Sequence, residues 1–176
     1  MQPRAFNVDS LLEWDRRWTR RLNASVAVTP LRVLLRCVSR LGNGVFWYST
    51  MLALGVIGGR AGIETALRML AAGIIGLAVY KWLKARTTRA RPYRVLRDVR
   101  AAVDPLDAFS FPSGHTLHAV AFTVVAVSAF PLLAWVFVPF TALVALSRVV
   151  LGLHYPSDVL AGAGIGALVA QAVLLV

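Results

Sequence analysis

The chain has 176 residues, of which 58% are hydrophobic and only 15% are charged. An ordinary soluble domain has about half apolar and about a quarter charged residues, so the composition excludes that class and indicates a membrane protein. Nineteen Lys and Arg against eight Asp and Glu give a formal charge of +11. In a membrane protein this excess predicts anionic head groups or phosphate as partners rather than nucleic acid. A single cysteine, Cys37, excludes an internal disulfide, and the usual structural zinc patterns are absent.

The N-terminal 40 residues interleave apolar and basic side chains. Trp14 and Trp18 alternate with arginine pairs, which predicts an amphipathic helix in the plane of the membrane interface. Arg32, Arg36 and Arg40 recur every four residues and predict a second interfacial helix at about residues 31–41. The alternative is a pair of solvated charged faces without lipid contact. We therefore divide the chain into an interfacial segment, 1–40, and a membrane-embedded core, 41–176.

Uncharged runs predict about five transmembrane helices in that core. Pro131 divides one long run by starting a new helix, and Pro139 predicts a kink inside it. The second span reaches full length if Glu64 and Arg68 lie near the interface. The predicted spans are 41–59, 69–80 with its extension, 113–130, 132–151 and 159–176. The fold class is therefore an all-α integral membrane bundle.

The connection after the second span is the most polar stretch of the chain. It carries eight Lys and Arg between Lys81 and Arg100. Taken alone, such a run is most simply a solvated cytoplasmic loop. The loop ends in Ser113-Gly114-His115 at the start of a predicted helix, where free backbone N–H groups and the positive helix end suit an oxyanion such as phosphate.

A second polar group follows the fourth predicted span. Arg148 ends that span, His154 comes six residues later, and Asp158 follows four positions after the histidine. Pro156 suits the first position of the last helix and so puts Asp158 in the opening turn. A carboxylate there would fix the tautomer of the His154 ring and raise its basicity, which activates a histidine as nucleophile or base.

The alternation of span directions predicts that these groups meet. If the second span ends on one face of the membrane, the third begins there, the fourth ends there and the fifth begins there. Four segments then build an anion pocket with a potential nucleophile and a potential proton donor. The residues on that face are Lys84, Arg91, Ser113, His115, Ser147, Arg148, His154 and Asp158.

These residues and spacings resemble the three-part signature of the type 2 phosphatidic acid phosphatases, which share their site with vanadium haloperoxidases. The matching segments are Lys84, six residues, Arg91-Pro92; then 112–115; then Ser147-Arg148, five residues, His154, three residues, Asp158. The signature lies between Lys84 and Asp158, so the first 40 residues lie outside it. Compared with six-helix members, we expect the chain to be a five-span form without the additional first span.

The resemblance implies a role for each matching residue. His154 would attack phosphorus to form a phosphohistidine, and Asp158 would orient it. His115 would protonate the leaving oxygen and then activate water. The phosphoryl oxygens would be bound by Lys84, Arg91, Ser113, the Gly114 N–H and Arg148. Because these groups supply the charge, neither metal nor cofactor is expected. His118, one turn after His115, lies outside the signature and is either an assisting neighbour or a helix-interface residue.

Two other functions use the same residues. A non-enzymatic lipid-binding or transport protein would use the charges only to hold head groups, and it would tolerate His154→Ala. A haloperoxidase would share the pocket, but those relatives are soluble and larger. The expected function is therefore hydrolysis of a lipid phosphate, such as a polyprenyl diphosphate, phosphatidylglycerol phosphate or phosphatidic acid.

The charge distribution also bears on orientation. Seventeen of the 19 cations lie on the face of the predicted site, with Arg60 and Arg68 opposite. The positive-inside tendency favours a cytoplasmic site. The resemblance favours the outer face of a bacterial inner membrane, where many members act. The sequence gives a slight preference for the cytoplasmic side, and it leaves the exact lipid and the oligomeric state open.

Overall fold

Eight α-helices and no β-strand occur in the part of the chain that the computed structural model describes, residues 8–105 and 107–176. The all-α class is confirmed. The helices are α1 (Val8–Ala24), α2 (Thr29–Leu41), α3 (Val45–Ile57), α4 (Gly59–Arg86), α5 (Pro92–Val95), α6 (Gly114–Ala129), α7 (Ala134–Val150) and α8 (Pro156–Leu174).

Three segments of the described chain are long and apolar enough to cross a membrane: α4, α7 with its preceding 3₁₀ turn, and α8. The two other predicted spans correspond to shorter apolar helices, α3 with 13 residues and α6 with 16. Helix α4 is much longer than its uncharged run. At 1.5 Å per residue its 28 residues extend about 42 Å, beyond a hydrocarbon core of about 30 Å, so its last turn carries Lys84 and Arg86 past the apolar region.

Proline divides the third and fourth spans as predicted. Helix α6 ends at Ala129, and Pro131 opens a 3₁₀ turn that leads into α7. Pro139 lies inside α7 without ending it. The last span starts at Pro156, as the sequence indicated, which places Asp158 in the first turn of α8.

Helix α6 lies at the centre of the bundle and packs on α4, α7 and α8. Its contact with α8 depends on glycine. A Cβ atom at Gly162 would lie 2.5 Å from the Ser113 carbonyl oxygen, and one at Gly166 would lie 2.3 Å from that of Leu117. Gly164, between them, faces open space. The two inward glycines therefore let the backbones of α6 and α8 touch, which draws the start of α6 toward Asp158.

The N-terminal helices meet at a bend of 111°. If α1 and α2 were counted as one broken span, the described chain would have four candidate spans. Helix α1 packs on α7 and α8 through a polar face, because Asp15, Thr19 and Asn23 are buried. Trp14 and Trp18 point away from the bundle and are each 39% exposed. The side available to lipid is thus the aromatic one, whereas the side against the protein is polar.

Candidate active site

The polar ends of α4, α6, α7 and α8 lie together. Ser113, at the start of α6, donates its backbone N–H to the Asp158 carbonyl at 3.1 Å. The His154 N–H bonds to the Arg148 carbonyl at 3.1 Å, which ties the loop before α8 to the end of α7. These contacts bring together segments far apart in sequence, as the alternation of spans predicted.

His154 is nearly completely buried, with 2% of its surface exposed. Its Nε2 lies 3.3 Å from Nη1 of Arg91, and its Nδ1 lies 3.7 Å from Oδ2 of Asp158. The second distance is longer than a hydrogen bond. Burial, reinforced by the positive charges of Arg148 and Arg91, holds the pKa of His154 well below its usual range. The ring is therefore neutral at neutral pH, and Nε2 is the nitrogen that faces the cations.

Lys84 and Arg91 converge on Asp107. The ammonium of Lys84 and the hydroxyl of Tyr80 both donate to this carboxylate, and Arg91 Nη2 donates to Oδ1 at 2.8 Å. Partial burial tends to raise the pKa of Asp107, but the hydrogen bonds from Lys84 and Tyr80 outweigh it and lower the pKa to about 2. An ionised carboxylate thus pairs with two cations that the family resemblance assigned to phosphate.

Arg148 is held by the N-terminal segment. Its side chain is buried, with 3% exposed, and Nη1 donates a hydrogen bond to the hydroxyl of Ser39 on α2. Arg91 is anchored in a similar way, because Nη1 donates to the Leu153 carbonyl at 2.8 Å. Both guanidinium groups are therefore held by hydrogen bonds from within the protein.

The start of α6 is tightly packed. The Ser113 hydroxyl is buried and lies 2.9 Å from that of Thr116. A Cβ atom at Gly114 would lie 2.6 Å from the Tyr80 ring, so glycine allows Tyr80 to reach Asp107. His118, one turn on, has Nδ1 2.9 Å from the Gly114 carbonyl and Nε2 3.3 Å from the Gly73 carbonyl. His118 therefore lies at the interface of α4 and α6.

Two cavities meet at His115. A polar cavity of about 630 Å³ is lined by Arg36, Ser39, Arg40 and Arg148, among others. An apolar groove of about 320 Å³ lies between α3, α4 and α6. His115 and Asn43 line both. A single molecule with a charged head and an apolar tail can therefore occupy the two spaces with its junction beside His115.

Several residues near the site were not identified from the sequence. Ser39 and Asn43, from the N-terminal half, line the polar cavity, and the Asp107 carboxylate pairs with Lys84 and Arg91. Arg89 bonds to Asp158 at 2.5 Å and to Asp15 at 2.6 Å. The four-residue spacing of Asp15, Thr19 and Asn23 was a usable signal for a polar face on α1 that packs against protein.

Comparison with known proteins gives one family and one fold. The family model described as PAP2 superfamily matches residues 65–176. The crystal structure of Aquifex aeolicus LpxE is similar with a TM-score of 0.71 and 22% identity, covering 91% of this chain and 94% of that one. The first transmembrane PAP2-type phosphatidylglycerolphosphate phosphatase from Bacillus subtilis is similar with a TM-score of 0.71 and 24% identity, covering 96% of this chain and 86% of that one.

Proposed function

Because the chain belongs to the PAP2 superfamily, we propose that it is a membrane phosphatase that hydrolyses a phosphorylated lipid. The observation that carries this proposal is the junction of the polar cavity and the apolar groove at His115. A lipid phosphate has its scissile bond at the boundary between charge and hydrocarbon. A proton donor at the same boundary suits that substrate.

The head group would occupy the polar cavity. Arg36, Arg40 and Arg148 give this space a positive wall, and buried Arg148 acts most strongly because a cation stabilises a phosphoryl group best where water is excluded. Lys84 and Arg91 both hold Asp107, and they become available when phosphate replaces that carboxylate. The substrate's own charge thus compensates for the loss of the Asp107 contacts.

The lipid tail would lie in the apolar groove. Its walls include Trp47, Met51, Leu70, Ile74 and Leu77. Ile74 is 63% exposed and Leu70 is 48% exposed, so this side of the bundle would face lipid in a membrane. A lipid can therefore enter laterally while its head group reaches the polar cavity.

The chemical steps follow from the different surroundings of the two ring nitrogens of His154. Neutral Nε2 attacks phosphorus, the bond from phosphorus to the leaving oxygen breaks, and His115, which must carry a second proton in the complex with the anionic substrate, gives that proton to the oxygen and becomes neutral. The proton on Nδ1 stays beside Asp158, whose carboxylate balances the charge of the phosphohistidine. Water then attacks phosphorus while His115 accepts its proton, which releases phosphate and restores both histidines.

The charge stabilisation in these steps comes from Lys84, Arg91 and Arg148 together with the N–H groups at the start of α6. A catalytic metal is not required by this scheme. We expect phosphate release to continue after dialysis against a chelator, with rates measured before and after. A loss of activity that Mg²⁺ or Zn²⁺ restores would contradict the scheme.

The substrate is proposed only by class. One similar structure is described as a phosphatidylglycerolphosphate phosphatase, and the candidates for this chain are that lipid, phosphatidic acid and polyprenyl diphosphate. The purified chain in lipid nanodiscs is given each of these, and released phosphate is measured. The preferred substrate is the one with the highest kcat/KM.

Two substitutions test the mechanism: His154→Ala, and His154→Gln, whose side chain is closer in size to histidine. We expect both to abolish phosphate release while the protein stays monodisperse. Retained activity would contradict the proposed nucleophile. Lipid binding without phosphate release by the unaltered chain would favour the lipid-binding or transport alternative, and halide oxidation with added vanadate in place of phosphatase activity would favour a haloperoxidase.

For localisation we propose a bacterial inner membrane, with the site on the cytoplasmic side because most cations lie at its end of the bundle. Exposed Arg97, in the loop after α5, is suited to a single-cysteine probe in a Cys37→Ser background. In intact cells, we expect Arg97→Cys to resist a membrane-impermeant maleimide until the membrane is opened. Labelling before opening would place the site outside.

A further inference from the structure

A buried carboxylate lies on α1, outside the family signature. Asp15 has no exposed surface, and burying an unpaired charge costs several kcal/mol. Its Oδ1 accepts the Ser157 N–H at 2.9 Å, and its Oδ2 accepts Arg89 Nη2 at 2.6 Å and the Ser157 hydroxyl. Asp15 therefore binds both the first turn of α8 and the loop after α4.

Arg89 connects this carboxylate to the site. While Nη2 bonds to Asp15, Nη1 bonds to Oδ1 of Asp158 at 2.5 Å and to the Ser157 hydroxyl at 2.8 Å. Its guanidinium carbon lies 4.1 Å from the centre of the Tyr155 ring. Partial burial tends to lower the pKa of Arg89, but the Asp158 and Asp15 carboxylates outweigh it and raise the pKa. Arg89 is thus a fixed cation between two buried anions.

The contacts of Asp158 show what Arg89 controls. One carboxylate oxygen, Oδ1, is bound by Arg89. The other, Oδ2, accepts the Tyr155 N–H at 2.8 Å and is the oxygen 3.7 Å from Nδ1 of His154. Because Arg89 holds one oxygen, the other is turned toward the histidine. The direction of that oxygen therefore depends on a residue that touches neither His154 nor the polar cavity.

We infer that Arg89 and Asp15 are positioning residues for phosphoryl transfer, with Asp15 holding Arg89 and Arg89 holding the carboxylate that orients His154. This inference rests on the proposed function. It makes α1 part of the unit that performs the chemistry, because the chain of contacts from Asp15 to His154 is built on a helix that the family signature does not include.

The electrostatics support this arrangement. A phosphohistidine with a proton on Nδ1 carries positive charge on the ring, and an ionised Asp158 stabilises it. A carboxylate with no exposed surface favours its neutral form unless a cation lies beside it. Arg89 supplies that cation, and Asp15 balances it so that Arg89 does not cancel the negative charge that His154 requires.

Three variants of the full chain test the inference in nanodiscs. We expect Arg89→Gln to lower kcat roughly 10- to 100-fold, the effect of removing an outer hydrogen-bond partner at metal-ligating histidines, with KM changed by less than about threefold. Arg89→Lys should recover part of the rate, because an ammonium can pair with one carboxylate but lacks the guanidinium fork. Asp15→Asn keeps the shape and should lower kcat by less than Arg89→Gln.

A pH profile separates positioning from packing. Removing the Arg89 cation changes the charge balance around Asp158 and His154, so the acidic limb of kcat/KM should move in Arg89→Gln and should move less in Arg89→Lys, which keeps the positive charge. The charged and titratable groups around Asp158 are Arg89, Asp15, His154, Lys84 and Tyr155. An Arg89→Gln protein with an unchanged acidic limb of kcat/KM and an unchanged kcat would overturn the inference.

Arg20→Gln is the matched control on α1. Its partner Asp98 is 57% exposed and the pair lies on the surface, so we expect unchanged kcat and pH profile. If Asp15 acts through Arg89, the double variant Asp15→Asn with Arg89→Lys should lose less rate than the product of the two single losses. A loss of rate in the double variant equal to the product of the two single losses would overturn the role of Asp15. An unaltered chain that releases no phosphate from any lipid would instead overturn the proposed function.

Discussion

Nη1 of Arg91 lies 3.3 Å from Nε2 of His154, and both side chains are almost completely buried. The same nitrogen of Arg91 donates to the Leu153 carbonyl at 2.8 Å, so the guanidinium is held in place by the backbone beside the histidine. This relationship distinguishes the two ring nitrogens. It directs Nε2 toward the phosphate-binding cations and leaves Nδ1 toward Asp158.

The pH dependence of the free enzyme follows from this environment. Burial and the charges of Arg148, Arg91 and Lys84 lower the pKa of His154, so the neutral nucleophile persists as pH falls below the usual histidine value of about 6.5. We expect the acidic limb of the kcat/KM profile, where His154 becomes protonated, to lie below about pH 6.5. Rates are measured across pH, and the phosphate's own ionisation near pH 6 is determined separately and divided out. A limb at or above the usual histidine value would contradict the pKa direction.

Asp107→Asn tests competition between the carboxylate and phosphate. Because the pKa of Asp107 is lowered to about 2, its charge persists through the neutral range and opposes anion binding at Lys84 and Arg91. We expect the competitive inhibition constant of inorganic phosphate to fall roughly three- to tenfold, up to about 1.4 kcal/mol. The effect should persist between about pH 5 and pH 9, because Asp107 stays ionised throughout that range.

Asp104→Asn is the comparison for that variant. Asp104 lines the polar cavity and is exposed, so the change in the inhibition constant should stay within about twofold because solvent screens its charge. If Asp107→Asn weakens phosphate binding instead, the carboxylate serves to orient the two cations and does not compete with the ligand.

Ile74→Trp tests the apolar groove. Ile74 lines the groove and is 63% exposed, so the larger indole can fill that space without entering the core. We expect kcat/KM to fall for a long-chain lipid phosphate and to stay unchanged for a water-soluble aryl phosphate, because only the lipid needs the groove. Leu168→Trp, on α8 and 72% exposed outside the groove, is the control. Equal losses for both substrates would contradict lateral binding of the tail.

Gly162→Ala tests the close contact of α6 and α8. The added Cβ would meet the Ser113 carbonyl at 2.5 Å, and neither backbone can move without disturbing the other helix. We expect a loss of about 1–3 kcal/mol of stability, seen as a lower Tm, together with a lower kcat because Ser113 adjoins Asp158.

Two further alanine substitutions complete this series. Gly166→Ala meets the Leu117 carbonyl, farther from the site, and should lower Tm with a smaller effect on kcat. Gly164→Ala meets nothing within 4 Å and should change neither quantity. A Gly164→Ala protein as unstable as Gly162→Ala would show that glycine matters for reasons other than helix contact.

The sequence alone was sufficient for the features that depend on composition and local spacing. Membrane class follows from long uncharged runs, and the start of α8 follows from Pro156 because proline needs no hydrogen-bond partner at a helix start. The convergence of Lys84, Ser113, Arg148 and His154 follows from the alternation of spans. Helix lengths were less predictable, since α4 continues through charged turns at both ends of its apolar run.

Only the tertiary structure decided which charges pair. The alternation of spans put Lys84 and Arg91 in an anion pocket and the family resemblance implied that they bind phosphate, but neither contained a sign that Asp107 would hold them. Arg89 looked like one cation among eight, yet it joins Asp15, 74 residues before it, to Asp158, 69 residues after it. Such contacts have no periodic signature, because they depend on how α1 packs against α8. The residue types and their order were therefore readable from the sequence, whereas the partners of the buried charges were determined by the folded chain.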